Sequence, residues 1–129
     1  MNKIILAMLL VLASSDAAAD WVLACHGEIF TSYVDPTTIR RSGDIAQMWD
    51  LHDFTSAQTL GPDKSYLSSK MQEEYDCKER RARMLYISWY SQNMGEGETV
   101  GRDSEPNNWR PVSPGCIVEV HWEFACGKR

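Results

Sequence analysis

The chain has 129 residues, with thirteen Lys and Arg against eighteen Asp and Glu, a net charge of -5 and 43% hydrophobic residues. With pI near 5.1 it lacks the basic footprint that general nucleic-acid binding and docking on anionic lipid require. A mean hydropathy of -0.38 excludes a largely membrane-embedded chain, and the length is that of one domain.

The first element is an export leader. Lys3 supplies a positive start and Ile4 to Ala13 is a short apolar run, well under the roughly 20 residues that span a bilayer. Ala17-Ala18-Ala19 offers small residues for cleavage, so residues 1–19 are expected to be a signal peptide and residues 20–129 the exported domain. Lys3 and Asp16 leave together, and the charge balance is unchanged. Leu23 is large for a lipid-attachment box and Asp20-Trp21 separates Cys25 from the apolar run, so simple export ranks above lipid anchoring. No second apolar stretch is long enough to span a membrane.

Trp21 to Cys25 reads as a first strand, ended by Gly27, and Glu28 to Val34 as a β-rich second. Asp35-Pro36-Thr37-Thr38 reads as a turn or a single helical turn. A third strand covers Ile45 to Thr55, and Gln58 to Lys64 is a loop punctuated by Gly61-Pro62-Asp63. Ser65 to Cys77 alternates clearly, with Leu67, Met71, Tyr75 and Cys77 inward. Arg81 to Ser91 is a fifth strand, with Leu85, Ile87 and Trp89 on one face and Met84, Tyr86 and Tyr90 on the other. A turn at Asn93 to Gly97, a short strand at Glu98 to Arg102 and a polar loop from Asp103 to Pro114 around Trp109 follow.

Cys116 to Cys126 fits a helix stopped by Gly127. Ile117, Val120 and Phe124 make one apolar stripe, and Val118, Trp122 and Ala125 a second that would pack on loops or on another chain. The expected fold is α+β: one antiparallel sheet of about six strands with a C-terminal helix packed on one face, stapled by disulfides. Cys25, Cys77, Cys116 and Cys126 form an even set in a small exported chain, and no CxxC spacing points to zinc or redox chemistry. Three pairings are open; a Cys77–Cys126 bridge would tie helix to sheet.

No catalytic set emerges. His26, His52 and His121 show no HxH or HExxH spacing and read as scattered histidines. Glu73 and Glu74 are strand neighbours that face opposite ways. No metal site or cofactor is implied, and an enzyme is the least favoured class. Lys78, Arg80, Arg81 and Arg83 form one basic cluster, with acidic neighbours that balance it. The aromatic load, five Trp and five Tyr, exceeds what a modest core needs. Trp21, Trp49 and Trp122 are assigned to the core. Arg81, Arg83, Trp89, Tyr90 and Trp109 are the candidate binding residues.

An ordered set of short runs comprises Tyr33 to Ile39, Met48-Trp49-Asp50-Leu51, Tyr66 to Lys70, Glu74 to Cys77 and Arg80 to Arg83. Tyr90-Ser91, Asn93 to Gly97, Trp109, Val112, Pro114-Gly115 and Trp122 to Cys126 complete it. The set resembles the surface-adhesin protein E-like family of small exported bacterial proteins. The resemblance implies a six-stranded antiparallel sheet with the C-terminal helix held to its concave side by Cys77–Cys126. It implies homodimer formation and, from the founding member, attachment to the outer membrane and adhesion to host extracellular-matrix proteins. Cys25 and Cys116 are extra to that pattern and form a second bridge on this reading. No matrix-contacting residue is carried across. The expectation is an exported, non-enzymatic, adhesin-like module of the periplasm or outer surface of a Gram-negative bacterium, recognising protein or glycan partners. The alternatives are a periplasmic inhibitor or stress protein working through the Asp103 to Pro114 loop, or a small-ligand carrier with its cavity under the helix.

Overall fold

The computed structural model describes residues 19–129. All of the leader except Ala19 lies outside the described residues. The strands follow one another as a meander: β1 (Val22–His26), β2 (Phe30–Ser42), β3 (Ile45–Leu60), β4 (Lys64–Asp76), β5 (Arg81–Tyr90) and β6 (Thr99–Asp103), each antiparallel to the one before. Adjacent pairing through short turns is the simplest route for alternating segments of this length. A two-residue strand, β7 (Arg110–Pro111), adds to the same edge of β5 as β6, at Arg81 and Ala82. The only α-helix among the described residues is α1 (Val118–Ala125). The sheet therefore has seven strands rather than about six, and the molecule is mostly sheet with one short helix, not a balanced α+β fold. Pro111 is tolerated in a strand because it sits at a free edge, where no ladder donor is needed.

Bulges explain where the strands depart from expectation: β3 runs on past Thr55 to Leu60 across an irregularity between Asp53 and Gln58, so the expected Gln58 to Lys64 loop shrinks to the turn at 61–63. Asp35 to Thr38 is no turn: β2 runs through it. The Asp35 carboxylate accepts from the Thr37 amide and hydroxyl, and the Thr38 hydroxyl donates to the Asp35 carbonyl. That hydroxyl also accepts the Trp49 amide at 3.0 Å, replacing a lost ladder bond. In β5, Met84 pairs with Glu73 and Tyr86 with Gln72, leaving Leu85 as the extra residue. The alternation shifts there, so Met84 joins Ile87 and Trp89 rather than Tyr86.

The core lies between one sheet face and α1. Val34, Ala46, Met48, Tyr75 and Ala82 from the sheet meet Trp122, Ala125 and Cys126 of the helix end, with Val112 closing one side. The Trp122 indole N–H donates to the buried Asp76 carbonyl at 2.9 Å. The stripe predicted to face loops or another chain thus holds Trp122 and Ala125, which pack inward. Both bridges are formed, Cys77–Cys126 and Cys25–Cys116, over sequence separations of 49 and 91 with Cα spacings of 5.6 and 5.8 Å. Each closes a long loop, worth about 4 kcal/mol on the chain-entropy account. The helix is therefore pinned at both ends, which matters for eight residues that would not hold a helix alone.

Candidate functional site

Side chains alternate along each strand, so the face away from α1 carries the other half of the sequence. There Asp35 pairs with Trp49, Trp49 with Gln72, and Gln72 with Tyr86. Ser88 and Tyr90 continue the row opposite Lys70 and Ser68. Trp21, Trp49, Tyr86 and Tyr90 line an open cleft of about 650 Å³, with Lys70 and Asp35 among its polar groups. Trp49 and Tyr86 meet edge to face, ring centres 5.6 Å apart. Lys70 reaches over the Tyr90 ring, its Nζ 5.1 Å from the centre. Gly95 makes room for it: its φ is +72°, and a Cβ there would stand 2.3 Å from Lys70 Cε. Tyr90 is also held by the Ser88 hydroxyl, which donates to its oxygen at 2.8 Å.

The five residues singled out from sequence do not form one patch. Arg81 and Arg83 both lie 4.7 Å over the Trp109 ring. Arg81 is bound to Asp76 and Arg83 to Glu74, so their charge is largely spent inside the protein. Tyr90 lines the cleft. Trp89 is on the opposite face and lies tilted beside Tyr66, ring centres 6.3 Å apart. Trp122 is core, as assigned, but Trp21 and Trp49 are only half-buried and line the cleft. Their strand positions predicted a face each, and nothing local in the sequence said which face the helix would cover.

Under α1 the strands bring together groups that looked scattered. Asp50 of β3, Glu73 of β4 and His121 of α1 place ligand atoms within 4.8 Å of one another. His121 Nε2 is 2.7 Å from Ser32 Oγ, and the Tyr75 hydroxyl donates to Glu73 at 2.8 Å. Burial, then the neighbouring Glu73 charge, pushes the Asp50 carboxyl well up. Burial would lower His121, but the facing Asp50 and Glu73 carboxylates prevail and raise it to about 9. Burial would likewise raise Glu73, yet Asp50, His121 and Tyr75 hold it near 2. His52, stacked on Phe30 at 4.4 Å, is lowered to about 4 by burial and by His121.

The model of the surface-adhesin protein E family matches residues 21–127, almost the whole described chain. The chain belongs to the surface-adhesin protein E family. Solved structures of Haemophilus influenzae protein E share the adhesin's fold with it. One superposes with a TM-score of 0.66 at 11% identity, covering 88% of each chain. Another, from a non-typeable strain, gives 0.64 at 11% identity over 88% of this chain and 79% of that one. A second crystal form gives 0.62 at 12% identity over 75% and 80%. No curated protein matches at the sequence level. Identity this low shows the fold of a protein E-like adhesin, and leaves the residues of contact to be argued from the geometry above.

Proposed function

We propose that this adhesin-like protein is an exported, non-enzymatic binding module that takes a sugar ring of a glycan-bearing partner into the helix-free cleft. The observation that carries this reading is the cleft itself: four half-buried Trp and Tyr side chains with a few fixed polar groups, on the sheet face opposite α1, beside the short turn at Asn93–Gly95 that packs on Ser68 and Leu51. Aromatic faces give large contact area to the apolar side of a sugar, while Lys70 supplies a donor for its hydroxyls. The volume of about 650 Å³ falls in the usual range for ligand sites. Arg81 and Arg83 of β5, with the Trp109 ring packed against them from the loop before β7, would meet the partner's surface beyond the sugar. An outer-surface or periplasmic setting both suit this chemistry; no helix among the described residues is long and apolar enough to cross a membrane.

The rival readings have less support. The Asp103 to Pro114 loop is tied down by Asn107 N–H to the Met84 carbonyl of β5 and by Val112 N–H to the Arg80 carbonyl in the turn before β5, both 2.9 Å, so it is no free inhibitory finger. The space under the helix is filled by Met48, Tyr75 and Trp122, and the cleft lies on the other face.

The test is a panel of immobilised oligosaccharides and matrix glycoproteins, each glycoprotein with and without enzymatic deglycosylation. The reading expects a carbohydrate-dependent signal that falls at least about tenfold in Trp49→Ala. Binding that survives deglycosylation, or that ignores Trp49→Ala, overturns it.

A further inference from the structure

The Asp50, Glu73 and His121 cluster under α1 is not used by the binding face, and its geometry is unusual for a hydrogen-bonded network. His121 Nδ1 stands 3.4 Å from Asp50 Oδ2 and 3.7 Å from Glu73 Oε2. Good hydrogen bonds between such atoms are about 2.7–3.2 Å. The observed spacings instead suit neighbouring ligands around one four-coordinate cation, which lie about 3.4 Å apart when each bond is ~2.1 Å. A second observation points the same way. Asp50 is completely buried; its Oδ2 faces His121 and the Tyr75 hydroxyl, while its other oxygen, Oδ1, has no hydrogen-bond partner among the described residues. A buried, unpaired carboxylate oxygen is costly, and a cation would satisfy it.

Charge and donor type narrow the ion. Once a cation displaces the protons held by Asp50 and His121, two carboxylates and a neutral imidazole carry two negative charges, which one divalent cation cancels. One imidazole nitrogen with two carboxylate oxygens suits zinc or a similar transition-metal ion, not calcium, which takes six to eight oxygens. The surrounding shell is already built. With a cation at His121 Nδ1, Nε2–H donates to Ser32 Oγ at 2.7 Å. The Tyr75 hydroxyl donates to Glu73 Oε2 at 2.8 Å and lies 3.5 Å from Asp50 Oδ2, so it holds both carboxylate oxygens that face His121. Such outer partners set the ring's tautomer and the carboxylate's aim. Glu73 also lines a surface depression of about 350 Å³ with Ala82, Arg110, Pro111 and Val118, which gives a route inward beside the start of α1.

We propose that Asp50, Glu73 and His121 form a binding site for a zinc-type divalent cation that fastens α1 to β3 and β4. No thiolate competes for it, since every cysteine is in a disulfide. The ligands come from three elements far apart in sequence, which is why no motif announces them.

The test uses the disulfide-intact protein, stripped with a chelator and titrated with Zn²⁺ alone by calorimetry and with Co²⁺ by visible absorption. The proposal expects one equivalent bound, a tetrahedral Co²⁺ spectrum and a rise in Tm on Zn²⁺ addition. Glu73→Gln should weaken binding by at least about 100-fold. Ser32→Ala, a change to a positioning residue, should weaken it about 10–100-fold while keeping the one-to-one stoichiometry. His26→Ala, on an exposed strand end, should change nothing. No saturable uptake at tenfold excess Zn²⁺, or uptake that ignores Glu73→Gln, overturns the proposal. Should Glu73→Gln fail to fold, the wild-type Co²⁺ spectrum decides: an octahedral, weakly absorbing ion counts against the site.

Discussion

The two faces of the sheet are made from the same strands and differ in what covers them. One face lies under α1, carries the core and its buried ionisable cluster, and is held by disulfides at both ends of the helix. The other is open, lined by half-exposed aromatic rings and a lysine. Alternation along a strand distributes residues between the faces, but coverage decides their fate: α1 and its bridges close one face, and on the other the Asn93–Gly95 turn covers Leu51 and Ser68 and leaves the aromatic cleft open. The comparison teaches that stability and recognition can be separated by parity alone, so a substitution one residue along a strand should change which property suffers.

The largest effect should come from the staple. Replacing Cys77 and Cys126 together by Ala is expected to lower stability by about 4 kcal/mol, from a loop of 49 residues. Denaturant unfolding would show it as a fall in midpoint. A variant as stable as the parent would mean that packing alone holds α1 to the sheet.

Next comes a matched pair of tryptophans. Trp122→Phe removes the indole donor to the Asp76 carbonyl and some core volume, costing about 2 kcal/mol without touching ligand binding. Trp49→Ala, on the open face, should cost about 1 kcal/mol yet abolish most of the glycan signal. Parallel binding and thermal-melt measurements on the two variants check the separation; equal losses of binding would erase it.

The edge of the open face should respond to processing. Were the leader cut after Ala19, the Asp20 backbone nitrogen, 3.2 Å from Asp35 Oδ2, would become an ammonium. Asp35 is 3% exposed. Protein beginning at Asp20 is expected to be about 1 kcal/mol more stable than the same protein with a Gly-Ser extension, a few degrees in Tm. In Asp35→Asn the two forms should melt together.

The smallest effect is a pH dependence. The Glu79 backbone N–H, then the Arg81 side chain and the Lys78 N–H, hold the Asp76 carboxyl below its ordinary value of 3.8. A depressed folded pKa contributes stability that is present above the unfolded value and lost as the pH falls through the folded one. Acid titration of the melting point should therefore steepen below about pH 3.8, and Asp76→Asn should flatten that limb. An unchanged slope would show that Asp76 contributes nothing to acid sensitivity.

Much of the fold was legible because alternation, turn residues and cysteine number are local signals. Ser65 to Cys77 and Cys116 to Cys126 reveal their strand and helix directly. Asp35 to Thr38 misleads because its Asp-Pro signature of a turn also serves a bulge, where side-chain oxygens stand in for ladder bonds. Pro111 misleads because an edge strand needs fewer donors than an inner one. The cleft was half legible: Tyr90 was singled out, whereas Trp21 and Trp49 were given to the core because periodicity fixes parity and not coverage. The Asp50, Glu73 and His121 cluster was illegible, since its members meet only through the β3–β4 register and the docking of α1.

The most direct test of the division between faces is to follow the indole N–H signals of the five tryptophans by NMR while adding the oligosaccharide that binds best in the panel. The account predicts that Trp21 and Trp49 shift with the ligand while Trp122 and Trp89 stay still. Shifts at Trp122 or Trp89 with Trp49 unmoved would place recognition on the helix-bearing face and contradict it.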